Sequence, residues 1–208
     1  MTTPLSTALT ALDAFCQQNK NATPLTFHRG VEREALRVKK SDGRISHLPH
    51  PKKLGSALTH SSITTDYSES LMEFITGVHP NVEGVMSELN TIHHFVNHTL
   101  AEQDECLWPA SMPCYLESNA DVPIADYGTS NVGKLKKVYR EGLSNRYGRI
   151  MQCIAGMHYN FSFDKDFWTF LQSYKTGSVN SNTLQDFKSD SYFALIRNFR
   201  RNSWLLSY

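Results

Sequence analysis

The sequence predicts an α+β fold, a mainly antiparallel open sheet backed by helices in one compact unit. Apolar residues recur at helical spacing in some stretches and at alternate positions in others. Turn residues separate these stretches, and neither an internal repeat nor a low-complexity linker interrupts them. The 208 residues suffice for a sizeable core, and 40% hydrophobic with 20% charged is an ordinary globular composition. With 21 Lys+Arg against 20 Asp+Glu, the formal charge of +1 offers no basic face for nucleic acid or an anionic membrane. No apolar run approaches the roughly 18 residues of a membrane-spanning helix. The start, Met1-Thr2-Thr3-Pro4, lacks the basic and apolar regions of a secretory signal. Cys16, Cys106, Cys114 and Cys153 form no CxxC pair, so reduced thiols in a cytoplasmic protein are expected, with a Cys106–Cys114 disulfide left open.

Taken in order, Leu5, Ala8, Leu9, Leu12, Phe15 and Cys16 form the stripe of an amphipathic helix over about 5–18. From Phe27 to Val38 the period becomes two, Ser41-Asp42-Gly43 reads as a hairpin turn, and Arg44 to Ser46 as the returning strand. Residues 47–60 read as loop, and Leu71 to Thr76 as a strand that ends before His79-Pro80-Asn81. Asn81 caps a long helix over about 82–103, with Val82, Val85, Met86, Leu89, Ile92, Phe95, Val96 and Leu100 at helical spacing. Ser130 or Asn131 caps a second helix through Tyr147, whose polar face holds Lys134, Lys137 and Arg140. The alternating stretch Met151 to Phe163 reads as another strand, with aromatic-rich helices around 164–174 and 189–206.

Chemistry concentrates on three of these segments. In a strand, Glu32 and Glu34 point to the same face, where like charges need water, arginines or a cation between them. The alternative is a solvated outer face, with Arg33 and Arg37 on the other side. The stretch 151–163 places Met151, Cys153, Ala155, Met157, Tyr159, Phe161 and Phe163 on a face that should pack under helices, and Gln152, His158, Asn160 and Ser162 on the opposite one. Carboxylates with a histidine suit Mg²⁺ or Mn²⁺ rather than zinc. Glu73 sits between apolar neighbours, where an unpaired carboxylate is costly, so it is either functional or salt-bridged. Asp66 is expected in the loop before that strand. His94 and His98 have metal-pair spacing but no HExxH glutamate, which favours a solvated helix face. Gly128 to Lys134 approaches a phosphate loop, but Leu135 follows the lysine, so the start of a helix is expected there.

Seven segments in order carry a family resemblance. They are Arg29-Gly-Val-Glu-Arg-Glu-Ala-Leu-Arg-Val38, Leu54-Gly-Ser-Ala-Leu-Thr-His60, Ile63-Thr-Thr-Asp66 with Leu71 to Thr76, Leu107 to Tyr115, Tyr127-Gly-Thr-Ser-Asn131, Tyr139 to Gly148, and Gly156 to Ser162. Together they resemble glutamate-cysteine ligase of the bacterial single-chain type, over about residues 25–202. The resemblance implies a fold similar to the glutamine synthetase catalytic domain and an ATP-dependent, cytoplasmic ligase of glutathione biosynthesis. Such an enzyme joins the γ-carboxylate of L-glutamate to the amine of L-cysteine through an acyl phosphate. By motif position, Glu32, Glu34, Asp66, Glu73 and His158 would be ligands of Mg²⁺ or Mn²⁺ or their neighbours, with no catalytic residue apart from them. Tyr67, Tyr139 and Leu143 would form the pocket for the cysteine side chain, and Asn160 a substrate contact.

Family members are more than twice as long, and Asn202 to Tyr208 ends on an apolar stripe without a cap. Residues 1–208 are therefore expected to be the N-terminal part of one catalytic domain, with a missing C-terminal part required for activity. An inactive remnant, or a sister ligase with a different amine acceptor, stands as the alternative.

Overall fold

Alternation from Phe27 onward produces one long strand, β1 (Phe27–Lys39), on which the computed structural model builds its sheet. The structure describes residues 27–178, 180 and 183–206, together with 9, 10, 13, 14, 16 and 17. Those six are helical, while the rest of the helix expected over 5–18 lies outside the described residues. Strand β2 (Ile63–Thr65) pairs with β3 (Leu71–Ile75), β3 with β1, and β1 with β4 (Glu105–Leu107), all antiparallel. Strand β5 (Met157–Phe163) also pairs with β1. The α+β class and the antiparallel sheet are as the sequence predicts. Gly43 closes the turn after β1 through its N–H to the Lys39 carbonyl, but the expected return strand at 44–46 is only a single bridge, Val38 to Ile45.

The register explains the core. Ala35 lies opposite Met72 and Arg33 opposite Phe74, while Leu36 lies opposite Leu71 and Glu34 opposite Glu73. Residues paired directly across a ladder share a face, so the sheet is sorted into two faces. Val31, Ala35, Met72 and Phe74 bury against helix α1 (Val82–Ala101) through Val85, Leu89, Ile92, Val96 and Leu100. Asn81 caps that helix, its Oδ1 accepting from the Gly84 N–H at 2.8 Å. Val82, Met86 and Phe95, counted in its apolar stripe from spacing alone, are exposed. On the opposite face, Leu36, Val38, Tyr67, Leu71, Val122, Cys153 and Ala155 form a second apolar cluster.

Helix α2 (Asn131–Tyr147) begins at Ser130, whose Oγ accepts from the Gly133 N–H at 3.1 Å. A Cβ on Gly133 would lie 2.6 Å from the Tyr127 carbonyl oxygen, which explains glycine in the first turn of this helix. The segment Gly128–Lys134 is thus a helix start, as expected. The stretch 151–163 departs from expectation. Ile150–Cys153 is a 3₁₀ turn, and the strand covers only Met157–Phe163. Cys153 and Ala155 are buried, but Met157 (62% exposed) and Tyr159 (59%) are open, so the face expected to lie under helices is uncovered. Strand-like alternation in the sequence does not by itself supply a covering layer.

Backbone contacts divide the chain into two units, a finer division than the single unit read from the sequence. One unit is residues 29–161, and the other combines 1–28 with 162–208. The latter contains α3 (Lys165–Thr176) and α4 (Leu184–Asn202), with Phe163 stacked on Phe167 at 4.3 Å and edge-on to Trp168 at 5.3 Å. All four cysteines are free. Cys114 and Cys153 are buried, and burial pushes the Cys153 thiol up to about 12, which leaves it unreactive. Among the described residues no helix is long and apolar enough to cross a membrane.

Candidate active site

The unit 29–161 brings the predicted acidic and imidazole residues onto one face of its sheet. Glu32 and Glu34 are two apart on β1, and Glu73 on β3 is paired directly across from Glu34. Asp66 lies in the turn between β2 and β3, as expected, and not in a strand. From β5, His158 Nδ1 lies 3.2 Å from Glu32 Oε2, and Asn160 Nδ2 donates to Glu32 Oε1 at 2.9 Å. Two side chains on alternate positions of one strand thus hold a single carboxylate by both oxygens.

Glu34 is held differently. Its backbone N–H donates to the Gly156 carbonyl at 2.9 Å, and its side-chain Oε2 accepts from the Gly156 N–H at 2.7 Å. The sequence signal for this clamp is the glycine two residues before His158, whose role was not read from spacing. A Cβ there would lie 3.0 Å from His158 Nε2 and 3.4 Å from Glu34 Oε2.

Electrostatics mark the cluster as unbalanced. Burial raises the Glu34 carboxyl above its ordinary range against the lowering effect of the Gly156 N–H, and Asp66 and Glu32 raise it further. Burial also raises Glu73, with Asp66, Glu32 and Glu34 adding to the effect and His158 opposing it. None of these carboxylates has a Lys or Arg ion pair among those found in the described residues; His158 against Glu32 is the only one involving them. Hard oxygen donors with one imidazole are chemically suited to a divalent cation. Yet among the described residues no three His, Cys, Asp or Glu side chains are grouped closely enough to hold a metal ion. Glu32 is engaged instead by His158 and Asn160, and Glu34 by Gly156.

The proposed sulphur pocket is only partly assembled. Tyr67 and Leu143 belong to the same apolar cluster, on the sheet face that carries the acids. The Tyr67 hydroxyl is buried and has no hydrogen-bond partner among the described residues, an unusual state for a phenol. Tyr139 is instead 64% exposed on α2, so the structure does not bring it into that cluster. His94 and His98 lie on the exposed face of α1, as the absence of a metal-site glutamate suggested.

Sequence reading missed a buried ion pair. Arg37, which the alternation places on the side of the strand opposite Glu32 and Glu34 without a partner, is 0% exposed and donates from Nη1 to Glu105 Oε2 at 2.9 Å. Its Nη2 donates to the Leu48 and Glu69 carbonyls at 2.7 and 3.0 Å, and Ser46 Oγ donates to the other Glu105 oxygen. An arginine at an odd position among core residues, with a glutamate in a downstream strand, was the available signal.

Fold and site together define an open antiparallel α+β sheet with acidic residues gathered on one face. The glutamate-cysteine ligase family model matches residues 12–208. The glutamate-cysteine ligase of Pseudomonas putida (strain W619) is 55% identical over 179 residues, covering 86% of this chain and 33% of that protein. The Hahella chejuensis glutamate-cysteine ligase is 54% identical over 182 residues, covering 88% of this chain and 34% of that protein. Among solved structures, glutamate-cysteine ligase from Francisella tularensis in complex with AMP matches with TM-score 0.79 and 41% identity, over 88% of this chain and 34% of that one. A bifunctional glutathione synthetase from Pasteurella multocida matches with TM-score 0.75 and 32% identity, over 87% of this chain and 23% of that one. The chain belongs to the glutamate-cysteine ligase family, and it spans about a third of the length of the curated relatives it matches.

Proposed function

We propose that residues 1–208 are the N-terminal part of a single glutamate-cysteine ligase catalytic domain that acts in the cytoplasm at the first step of glutathione biosynthesis. The reaction transfers the γ-phosphoryl group of ATP to the side-chain carboxylate of L-glutamate, releasing ADP. The amine of L-cysteine then attacks the acyl phosphate carbon, phosphate leaves, and the nitrogen loses a proton as the amide forms. The observation that carries this reading is the acidic face itself, with Glu34 and Glu73 paired across the ladder and both raised by burial and by neighbouring carboxylates.

Glu32, Glu34, Asp66, Glu73 and His158 are the residues that would hold Mg²⁺ or Mn²⁺, whose charge would offset that of the transferring phosphoryl group. Before it binds, Gly156 and Asn160 fix where the Glu34 and Glu32 carboxylates point. Asn160 can also turn its amide to a substrate carboxylate, the role its place beside His158 supports. The Tyr67 hydroxyl, without a partner among the described residues, and Leu143 in the same apolar cluster support an amphipathic pocket suited to the cysteine side chain. Tyr139 on α2 would join it from the solvent side.

Coverage of about a third of each relative favours one second reading, in which this chain alone turns nothing over. The test is ATP-to-ADP conversion that requires both glutamate and cysteine. It is run on the chain alone and on the chain extended with the C-terminal two-thirds of the Pseudomonas putida ligase. Turnover by the extended protein, lost in Glu32→Ala and Glu73→Ala, is the expected result. Wild-type turnover in either variant would contradict the cation assignment, and turnover by the chain alone would remove the second reading. Replacing cysteine by 2-aminobutyrate or glycine in the same assay separates a cysteine ligase from a sister enzyme with another acceptor.

A further inference from the structure

The sheet ends differently on its two sides. On one, β2 is only three residues long, and the loop before it is tied to it by Thr64 Oγ1 donating to the Ala57 carbonyl at 2.6 Å. Short strands and covering loops are how natural sheets keep an edge from pairing with another chain. On the other side, β5 runs for seven residues, and β1 is its one neighbouring strand among the described residues. It carries no Lys, Pro or acidic residue of the kind that guards an open edge.

Residues 157–161 of this strand, which belong to the unit 29–161, are all exposed. Met157, Tyr159 and Phe161 share one face by alternation and are 62%, 59% and 41% exposed. On the other face, His158 and Asn160 are already engaged with Glu32. An edge without guards beside an apolar face is what strand addition uses: main-chain hydrogen bonds along the edge give affinity, and side chains at alternate positions give specificity.

Length and charge point to the occupant. The Pseudomonas putida ligase is matched over 33% of its chain and the AMP-bound Francisella tularensis ligase over 34%, so most of each has no counterpart in these residues. A second copy of this chain is less suited. Two copies of β5 paired antiparallel about a two-fold axis normal to the sheet would set two acidic faces side by side, each without a Lys or Arg ion pair among the described residues.

We propose that β5 is the docking strand for the remaining two-thirds of a glutamate-cysteine ligase chain, which adds a strand along residues 157–161 and covers Met157, Tyr159 and Phe161 with apolar side chains. This surface rests on the reading above, in which residues 1–208 are the N-terminal part of a longer catalytic domain.

The experiment compares amide hydrogen exchange in residues 157–161, read by mass spectrometry, between the chain alone and the chain extended with the C-terminal two-thirds of the Pseudomonas putida ligase. A protease site after Tyr208 then allows the folded extended protein to be cut and the two pieces to be weighed by sedimentation. Exchange at 157–161 should slow about tenfold or more in the extended protein, and the cut pieces should stay together. Met157→Lys and Tyr159→Lys should each weaken that association about tenfold. Both side chains are exposed in the chain alone, so its melting temperature should barely move. If the extended protein does not fold, the matching strand of the whole Pseudomonas putida ligase carries the exchange comparison.

Equal exchange in the two proteins, or association that neither substitution weakens, would overturn the proposal. So would a dimer of the chain alone that protects 157–161 and that Tyr159→Lys dissociates, since the occupant would then be a second copy. Glutamate- and cysteine-dependent ADP formation with 157–161 unprotected would overturn the docking strand and leave the ligase reading standing. Protection of 157–161 without that turnover would do the reverse.

Discussion

The two halves of β1 treat charge in opposite ways. Toward its C-terminal end, Arg37 and Glu105 are both fully buried, and their charges are matched by each other, by backbone carbonyls and by Ser46. Toward its N-terminal end, Glu32 and Glu34 lie with Glu73 and Asp66, offset among the described residues by His158 and by neutral donors from Gly156 and Asn160 but by no Lys or Arg ion pair. A buried charge matched by an opposite charge and by several hydrogen bonds is a structural device. A half-buried group of like charges is a liability for folding, and it becomes useful when a ligand supplies the missing positive charge.

The largest effect should come from unbalancing the matched half. Glu105→Ala leaves the Arg37 guanidinium buried without its carboxylate and should lower stability by roughly 3–5 kcal/mol in urea unfolding. Replacing both partners with apolar residues should recover much of that loss. If Glu105→Ala melts like the parent chain, the matched pair is not what holds that end of the strand.

Gly156→Ala should act on the unmatched half alone. The added Cβ would press on His158 Nε2 at 3.0 Å and on Glu34 Oε2 at 3.4 Å. Mn²⁺ affinity should fall about tenfold, or about 1.4 kcal/mol, with little change in melting temperature. A large fall in melting temperature with affinity intact would show that Gly156 serves the fold rather than the site.

The smallest effect should have the opposite sign. Because Glu73 is raised in the folded state, the unfolded chain ionises it first as pH rises, so its ionisation costs stability above its ordinary pKa near 4.5. Glu73→Gln should therefore stabilise the chain at pH 7 by up to about 1 kcal/mol, the scale of a like-charge cross-strand pair. The gain should vanish below pH 4.5, where the carboxyl is protonated in both states. Melting curves at pH 4 and pH 7 check it, and equal stability of the two proteins at pH 7 would show that the repulsion is already relieved.

Much of the fold was legible in the sequence, because period, caps and turn residues act locally. Asn81 and Ser130 mark helix starts in the structure as they do in the sequence. The alternation of 27–38 placed Glu32 and Glu34 on one face, and ordered motifs added Glu73, Asp66 and His158. What stayed hidden depends on contacts far apart in sequence. Spacing could not show that Arg37 meets Glu105 across 68 residues, that Gly156 grips Glu34 across 122, or that Arg140 reaches Asp66 across 74. Nor could it show that Met151 to Ile154 leaves the strand pattern, since a short 3₁₀ turn tolerates the same alternation. The exposed Met157 and Tyr159 are a similar case, as alternation says which face is apolar but not what covers it.

The most direct measurement is an amide NMR spectrum of the chain recorded with and without substoichiometric Mn²⁺. Paramagnetic broadening should centre on residues 32–34, 66, 73 and 158 and spare Val38, Lys39 and Glu105. Broadening centred on the Arg37–Glu105 end, or no broadening at all, would contradict the claim that the unmatched half of this strand is built to receive a cation.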